Sequence, residues 1–261
     1  MLARNYGARS DESSMLGDRR EFRVGEIMQI FIDSADASQI ESWLGQGVVD
    51  GATTNPSIMF KDGVTDLQAG ALRLSKLLGD RPLSVEVTSN DQEIMLEQGR
   101  LFATWARNIV VKIPIINEFG ESCLGVIHRL SQEGIAVNAT AILSFNQAIL
   151  AAKAGATYVS IFAGRLADEG NDPVATIKNV RQWLDDWSLS ARIIVGSIRT
   201  VMDIQNAALA GAHIVTIPPQ FLPKMVDHRY TRETVRQFMQ DAEKTIEEMS
   251  KAKVRVATPR G

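Results

Sequence analysis

The sequence predicts an α/β protein built as a single (β/α)8 TIM barrel, and three observations lead to this prediction. Short apolar runs alternate with segments of helical periodicity eight times along the chain. No linker and no shift in composition interrupts the alternation, as expected for a closed parallel barrel. The sequence contains no G-x-G-x-x-G motif and no P-loop. The alternative is an open doubly wound sheet, whose first strand is usually followed by a glycine fingerprint, where this chain has Asp33-Ser34-Ala35-Asp36.

The first four units each pair an apolar run with a helical segment. In the second of the helical segments, Leu67, Ala71, Leu74 and Leu78 recur at the spacing of one helix face. The predicted strands are residues 29–33, 47–53, 83–87 and 109–113, and the helices that follow them are residues 37–44, 64–79, 91–105 and 123–133.

The second half of the chain repeats this pattern. Gly155 and Gly211 come directly after two of the helical segments, and Pro173 begins another, as is typical of helix ends and starts. The predicted strands are residues 135–140, 158–162, 192–197 and 214–218, and their helices are residues 145–154, 173–187, 202–210 and 231–249.

Composition limits the classes of function. The chain has 261 residues, 45% of them hydrophobic, which suffices for one large core. The net charge of −3 gives no general attraction to nucleic acid or to an anionic membrane, so we expect neither as a partner. No apolar stretch approaches the roughly 20 residues of a membrane helix. One cysteine, Cys123, and the absence of a signal peptide core in the first 27 residues indicate a cytoplasmic protein.

Three segments are predicted from this pattern. Residues 1–27 carry five arginines and five acidic residues with little apolar periodicity, so we expect a poorly ordered extension, with an arm that packs in an oligomer as the alternative. Residues 28–250 form the catalytic barrel, and residues 251–261 a C-terminal tail.

Lys112 lies in the apolar heptapeptide of residues 108–114, which suits a strand buried on both faces. Lysine is seldom buried without a partner. A buried lysine loses hydration, which disfavours its charged form, and the neutral amine can attack a carbonyl carbon to form a Schiff base. The alternative is a lysine at a strand end whose ammonium reaches solvent.

Most predicted strands end in a residue with a reactive or hydrogen-bonding side chain, and parallel barrels carry their active sites at this end. Each residue alone has a simpler explanation: Asp33 could cap a helix, Asn55-Pro56 could be a turn, Asn138 and Thr140 could be satisfied core groups, and the arginines could be surface residues. Together they predict an active site. The residues are Asp33, Asn55, Glu86, Lys112, Asn138, Thr140, Ser160, Arg165, Ser197 and Arg199.

These side chains suit the cleavage of a carbon–carbon bond next to a carbonyl group. The iminium formed by Lys112 would act as an electron sink, and Asp33 or Glu86 would be the base. Arg165 and Arg199 offer planar forks for a phosphate or another oxyanion. Such a reaction needs no metal and no organic cofactor, and His128, His213 and His228 lack metal-ligand spacing. Cys123 has no histidine placed beside it by sequence and is predicted to be incidental.

At these residues the sequence resembles the transaldolase family, in particular its short-chain branch, which includes the fructose-6-phosphate aldolases. The resemblance extends from about Met28 to Glu247. The motifs that carry it, in chain order, are Ile32-Asp33-Ser34-Ala35, Thr53-Thr54-Asn55-Pro56-Ser57, Val110-Val111-Lys112-Ile113-Pro114, Asn138-Ala139-Thr140, Ser160-Ile161-Phe162-Ala163-Gly164-Arg165 and Gly196-Ser197-Ile198-Arg199.

The resemblance implies a barrel of the class I aldolase type that transfers a dihydroxyacetone unit from a ketose phosphate, such as fructose 6-phosphate, to an aldose phosphate. It implies that Lys112 forms the Schiff base, that Asp33 accepts the proton during cleavage, and that Glu86 and Thr140 hold a water that relays protons. The remaining family positions would bind the donor hydroxyls, support the site or hold the phosphate, and they are Asn55, Asn138, Ser160, Phe162, Ser197, Arg165 and Arg199.

Two positions favour the transaldolase side of this family over the aldolase side. The aldolase branch typically has glutamine at the position of Glu86 and tyrosine at the position of Phe162. A tyrosine hydroxyl could assist release of free dihydroxyacetone, whereas phenylalanine has no proton to donate. Two features depart from the family: Ser160-Ile161-Phe162 replaces its Ser-Pro-Phe, and the loop of residues 115–123 after Lys112 is longer than its usual connection.

Other functions remain open at this point. The first alternative is a lyase that releases or takes up free dihydroxyacetone, and another is a transaldolase acting on a non-standard sugar, such as a sulfonated one. A third alternative, from a different class of function, is an inactive barrel that serves in binding or assembly.

The last predicted helix also bears on assembly. Members of the short branch tend to form pentamers and decamers, so the resemblance implies a homo-oligomer. Residues 231–249 would contribute Val235, Phe238, Ala242 and Ile246, unless this face closes the barrel's own surface.

Overall fold

The computed structural model describes residues 27–257, with side chains up to Lys251. Of the predicted N-terminal extension only Ile27 falls in this range, so residues 1–26 lie outside the described part of the chain. The same holds for residues 258–261 at the end of the predicted tail.

Eight parallel strands form a closed barrel in chain order, with the last strand paired to the first, which confirms the predicted fold class. The strands are β1 Gln29–Asp33, β2 Gly51–Thr53, β3 Leu83–Glu86, β4 Ile109–Pro114, β5 Val137–Ile142, β6 Tyr158–Phe162, β7 Arg192–Gly196 and β8 Ile214–Ile217.

Strand β2 is shorter than the predicted run of residues 47–53. Gly47 has a φ of 75°, in the left-handed region, so the chain turns before the strand begins. Gly51 begins the strand, and glycine is required here because a Cβ atom would collide with the ring of Phe31 in the barrel interior.

Helices surround the barrel, and three short ones were not predicted, since five or six residues are too few to show a helical period. The helices are α1 Ala37–Gly45, α2 Pro56–Lys61, α3 Leu67–Leu78, α4 Gln92–Trp105, α5 Leu124–Gln132, α6 Phe145–Lys153, α7 Ala163–Asp168, α8 Pro173–Asp186, α9 Val201–Leu209, α10 Leu222–Val226 and α11 Arg229–Ala257. The unpredicted ones are α2, α7 and α10. Helices α2 and α7 begin directly after the loop or strand that carries Asn55 and Phe162, so they belong to the carboxyl-terminal face of the barrel.

The barrel interior changes from apolar to polar along its axis. One cluster inside the barrel consists of Phe31, Val110, Tyr158, Ile194 and Ile214. Buried polar side chains lie further along the strands, and these are Thr53, Ser84, Lys112, Asn138, Ser160 and Thr216. Since isolated buried polar groups are costly, this layer must be internally hydrogen-bonded or adapted to bind a ligand.

Helix α11 departs from the prediction in length and position. It has 29 residues, against a predicted helix over residues 231–249. Every described side chain from Thr234 to Lys251 is exposed, so most of the helix does not cover the barrel. Its apolar side chains include Phe238, 66% exposed, and Ile246, 64% exposed. In the described part of the chain, no helix combines the length and apolar character needed to span a membrane.

Candidate active site

Lys112 lies inside the barrel with its amino group held between two oxygen atoms. Val110 on the same strand belongs to the interior cluster, and side chains alternate along a strand, so Lys112 also faces inward. The residue is only 5% exposed. Its Nζ atom lies 3.0 Å from Oε2 of Glu86 and donates a hydrogen bond of 3.1 Å to the carbonyl oxygen of Thr54. The ammonium therefore does not reach out to solvent as a typical strand-end lysine does.

Glu86 is the direct neighbour of Lys112 across the sheet. It ends β3 and is in register with Lys112 on β4, which in turn is in register with Asn138 on β5. The Glu86 side chain is 21% exposed, so its carboxylate contacts Lys112 and is also accessible from the opening of the barrel. A carboxylate in this position can take a proton from the amine or from a bound water.

Asp33 ends β1 and is not a helix cap. Asp36 fills that role instead, because its side chain accepts from the backbone N–H groups of Ser38 and Gln39.

Burial raises the pKa of the Asp33 carboxyl, while the Lys112 ammonium and a hydrogen bond from Thr53 act in the opposite direction. The Glu86 and Asp62 carboxylates add to the increase in pKa. A carboxyl with a perturbed pKa beside a buried lysine indicates a functional site.

Thr53 and Thr216 were missed as site residues by sequence reasoning. The Thr53 hydroxyl donates a hydrogen bond of 2.7 Å to Oδ1 of Asp33, and the Thr216 hydroxyl is in contact with that of Thr53. Thr53 was visible in the motif at residues 53–57, but threonine is common in strands. No sequence signal connects Thr216 with it, because 163 positions separate the two residues.

Asn138 lies within a hydrogen-bond chain that crosses three strands. Its Nδ2 atom donates to Oγ of Ser84 at 3.1 Å, and its Oδ1 atom accepts from Oγ of Ser160 at 2.8 Å. Both ends of the amide are thus engaged by protein, as expected for a satisfied core group. The chain fixes the interior next to Lys112, and Ser84 is a further residue that sequence reasoning missed.

Thr140 follows Asn138 by two residues and has a different environment. It is 1% exposed, and its hydroxyl has no hydrogen-bond partner among the described residues. The next residue, Ala141, has a φ of 58° at a shift of register between β5 and β6. A non-glycine residue in this region of φ costs about 1 kcal/mol or more, and such strain often occurs at functional sites. A buried hydroxyl without a partner suits a site that holds a water or a substrate oxygen.

Arg165 and Arg199 lie on adjacent elements at the opening. Gly164 in α7 donates its backbone N–H to the carbonyl oxygen of Ser197, after the end of β7, at 3.0 Å. A Cβ atom at Gly164 would collide with this oxygen and with the Arg199 side chain, so glycine is required for the approach. Ser197 itself has a φ of 58°.

Both guanidinium groups are exposed and already have partners. Arg165 lies over the ring of Phe162, with its Cζ atom 5.4 Å from the ring centre. Arg199 donates from Nη2 to Oδ2 of Asp168 at 2.8 Å. The Arg199 side chain lies beside Gly164, the residue before Arg165, and Asp168 is an acidic neighbour of Arg199 that the sequence did not reveal.

Asn55 caps a helix at the edge of the site. Its Oδ1 atom accepts from the backbone N–H of Ile58 at 2.9 Å, and Pro56 begins α2. The residue before it, Thr54, provides the carbonyl oxygen that binds Lys112. Asn55-Pro56 therefore starts a helix rather than forming only a turn, and it lies next in sequence to the residue that contacts Lys112.

The long loop after β4 forms a small hairpin, with a bridge between Ile116 and Ser122. Asn117 holds it together, since its side chain donates to Glu121 and Asn90 and accepts from two backbone N–H groups of the loop. Phe119 at the tip is 74% exposed. Cys123 at the end of the loop is buried, and burial raises the pKa of its thiol, which suits the predicted incidental role better than a nucleophile.

Comparison with known proteins identifies similar chains over most of this length. The sequence profile of the family described as Transaldolase/Fructose-6-phosphate aldolase matches residues 30–258. "Probable transaldolase 2" of Listeria monocytogenes is 42% identical over 216 residues, which is 83% of this chain and 96% of the relative. "Probable transaldolase" of Clostridium botulinum is 41% identical over 221 residues, 85% of this chain and 99% of the relative.

Solved structures show the same fold at low identity. Thiamine phosphate pyrophosphorylase of Pyrococcus furiosus has a TM-score of 0.51 and 10% identity, covering 73% of this chain and 85% of its own. A mandelate oxidase variant has a TM-score of 0.53 and 13% identity, covering 74% of this chain and 67% of its own. At these identities the likeness concerns the barrel alone.

Proposed function

This chain belongs to the transaldolase/fructose-6-phosphate aldolase family, and from that premise we propose that it is a transaldolase acting through a Schiff base on Lys112. The donor is a ketose phosphate such as fructose 6-phosphate, and the acceptor is an aldose phosphate such as erythrose 4-phosphate, which gives sedoheptulose 7-phosphate. The observation that carries the proposal is the buried amine of Lys112 between the Glu86 carboxylate and the Thr54 carbonyl. This reaction would serve carbohydrate metabolism in the pentose phosphate pathway, in the cytoplasm.

In the first step, Lys112 attacks the ketone carbon of the donor. Glu86, 3.0 Å from Nζ, is placed to take the proton that the amine must lose. Loss of water from the carbinolamine gives the iminium, and a water held by Glu86 and the unpaired Thr140 hydroxyl would carry these protons. The iminium then withdraws electrons from the bond to be broken.

In the second step, Asp33 removes the proton of the donor hydroxyl whose carbon leaves as an aldehyde. The electron pair of the broken carbon–carbon bond moves into the iminium and leaves an enamine on Lys112. The raised pKa of Asp33 suits it to hold the proton until the acceptor aldehyde arrives and the bond forms again. Asn55, Asn138, Ser160 and Ser197 would bind or support the hydroxyl groups of the bound unit.

Arg165 and Arg199 would bind the phosphate group. Guanidinium groups bind phosphate oxygens through paired hydrogen bonds. Among the described residues Arg165 contacts the ring of Phe162 and no carboxylate, so its hydrogen-bond donors are available to an anion. Arg199 would share its guanidinium between the phosphate and Asp168.

Transferase and lyase differ in the fate of the enamine on Lys112. A lyase protonates it and releases dihydroxyacetone, whereas a transferase keeps it until an aldehyde arrives. Phe162 at the end of β6 has no proton to give. We therefore propose the transferase, with the lyase as the alternative. A non-standard sugar, such as a sulfonated one, is a further alternative that the hairpin of residues 115–123 supports, because loops at this face determine substrate choice.

Product analysis distinguishes these functions. With fructose 6-phosphate alone, we expect little free dihydroxyacetone, and on addition of erythrose 4-phosphate we expect sedoheptulose 7-phosphate. The variant Phe162→Tyr should release more dihydroxyacetone than the parent. Rapid release by the parent would establish the lyase, and no product from any sugar phosphate or sulfonated sugar would favour an inactive binding protein.

We also propose a homo-oligomer, a pentamer or a decamer, assembled through the exposed apolar stripe of α11. The stripe comprises Val235, Phe238, Met239, Ile246 and Met249, which share one helix face. Phe238→Glu should reduce the mass measured by light scattering, because a charge in an apolar interface is costly. Gln240→Glu adds the same charge on the opposite face and should leave the mass unchanged. A monomeric parent would contradict this proposal.

A further inference from the structure

A chain of two hydroxyl groups, from Thr216 and Thr53 on the strands that flank β1, leads to Asp33. Thr216 on β8, Thr53 on β2 and Asp33 on β1 lie on three consecutive strands of the closed sheet, since β1 pairs with both β2 and β8. The distance between the two Oγ1 atoms is 2.5 Å, and that from Thr53 Oγ1 to Asp33 Oδ1 is 2.7 Å. Thr216 is 6% exposed and Thr53 2% exposed, so water does not compete for these hydrogen bonds.

The number of protons fixes the direction of the chain. An ionised carboxylate can only accept, so the single proton of the Thr53 hydroxyl is directed to Asp33. The proton shared between the two threonines must then come from Thr216. Thr216 donates to Thr53, and Thr53 donates to Asp33. A hydroxyl that already accepts a hydrogen bond is polarised and becomes a better donor.

From this geometry we propose that Thr216 is a positioning residue, which orients the Thr53 hydroxyl and thereby holds Asp33 as the proton acceptor for carbon–carbon cleavage. This inference rests on the function proposed above and extends it to a residue that does not touch the reacting atoms. The hydrogen bond from Thr53 stabilises negative charge on Oδ1, so Oδ2 is the more basic oxygen for the substrate proton. The hydroxyl chain thus selects which carboxylate oxygen acts.

Charged groups from three other elements also act on Asp33. Lys112 on β4 favours the carboxylate form, whereas Glu86 on β3 and Asp62 after α2 disfavour it. Asp62 is fixed by hydrogen bonds from the Ser34 hydroxyl and the Ala35 backbone. The Thr53 hydroxyl lowers the pKa of Asp33 together with Lys112, against burial and the two carboxylates, and Thr216 would strengthen this effect by polarising Thr53. Removing Thr216 should therefore shift the titration of Asp33 to higher pH.

Two matched variants separate the hydroxyl from the shape of the side chain. Thr216→Val keeps the volume and removes the donor, whereas Thr216→Ser keeps the donor and removes the methyl group. The methyl group lies over Gly196, where an added Cβ atom would be 3.2 Å from it, so its removal could also alter packing. For Thr216→Val we expect kcat to fall about five- to tenfold, the effect of losing one hydrogen bond. We also expect the low-pH side (the acid limb) of the profile of kcat/KM against pH to move to higher pH. Thr216→Ser should restore the position of the limb.

A second readout does not depend on cleavage. Dihydroxyacetone forms a Schiff base with Lys112 without breaking a carbon–carbon bond, so its trapping by borohydride should proceed at the parent rate in both variants. An unchanged acid limb in Thr216→Val would overturn the proposal, and so would an equal shift in both variants, which would indicate packing.

The proposal can be tested even if the function is wrong. If the parent cleaves no sugar, the proposed function fails, and the carboxyl carbon of Asp33 can be titrated directly by NMR, with Asp33→Asn used for assignment. A higher midpoint in Thr216→Val than in the parent and in Thr216→Ser would support the hydroxyl chain. Equal midpoints would overturn it.

Discussion

Replacing Lys112 by methionine is expected to reduce kcat by roughly 10⁴-fold or more, as removal of a covalent nucleophile does in other enzymes. Methionine fills a similar buried volume but has no amine, so no iminium can form and the bond to be cleaved has no electron sink. Among the residues whose side chains the structure describes, no other lysine is buried, so none can replace it. Steady-state kinetics with the best donor and acceptor would measure the loss.

Two controls separate nucleophilic from electrostatic effects at Lys112. Lys112→Arg keeps a positive charge beside Glu86 but cannot form a Schiff base, so we expect it to be as inactive as Lys112→Met. Lys153→Met removes an exposed lysine at the end of α6 and should retain the parent activity. If Lys112→Arg kept about a tenth of the parent kcat or more, the lysine would act as a charge rather than as a nucleophile, which contradicts the mechanism.

Replacing Asp33 by asparagine is expected to separate binding from cleavage. The amide can still accept the hydrogen bond from Thr53 but cannot take a proton. Loss of a general base typically reduces the rate about 10²- to 10⁴-fold, and we expect a decrease of this size in kcat. Schiff-base formation should continue, so borohydride should trap the intact six-carbon sugar on Lys112. A variant that still yields only the three-carbon adduct would show that another group is the base.

The same substitution should stabilise the protein at neutral pH. Because burial raises the pKa of Asp33, the folded state binds its proton more tightly than the unfolded state. The stability gained from this proton is complete below the unfolded pKa and is lost as the pH rises through the folded pKa. At pH 7 the unfolded carboxyl is ionised in water, whereas burial makes ionisation costly in the folded state, and asparagine, which does not titrate, avoids this cost.

We expect the melting temperature of Asp33→Asn at pH 7 to exceed that of the parent by about 2–4 °C for each kcal/mol gained. The difference should disappear in acid, where the parent is protonated. Asp36→Asn is the matched control, because hydrogen bonds from Ser38 lower the pKa of Asp36 and no gain is expected there. Equal or lower stability of Asp33→Asn at pH 7 would mean that the Asp33 charge is well compensated.

The barrel, and the position of the central candidate residues at one face of it, were predictable from the sequence for one physical reason. In a parallel barrel every strand ends at the same face, so a residue's position in its strand determines where it lies. Asp33, Glu86 and Lys112 were predicted to lie at this face in this way, and the structure brings Lys112 and Glu86 into contact. No knowledge of the loops was needed.

Other parts of the site could not be predicted, because they depend on contacts between distant parts of the chain. The Thr216–Thr53 contact and the Asn138 chain depend on strand register and side-chain rotamers, which local sequence does not encode. The Arg199–Asp168 pair depends on the close approach of α7 to the end of β7 at Gly164. Helix α11 has an amphipathic pattern, but the pattern does not say whether the apolar face meets its own barrel or another surface.

The most direct test of Schiff-base catalysis is to incubate the parent with fructose 6-phosphate and borohydride and to map the modified peptide by mass spectrometry. We predict a reduced three-carbon adduct on Lys112, which would identify both the nucleophile and the transferred unit. An adduct confined to a different lysine, or turnover that continues in borohydride without any adduct, would contradict the mechanism.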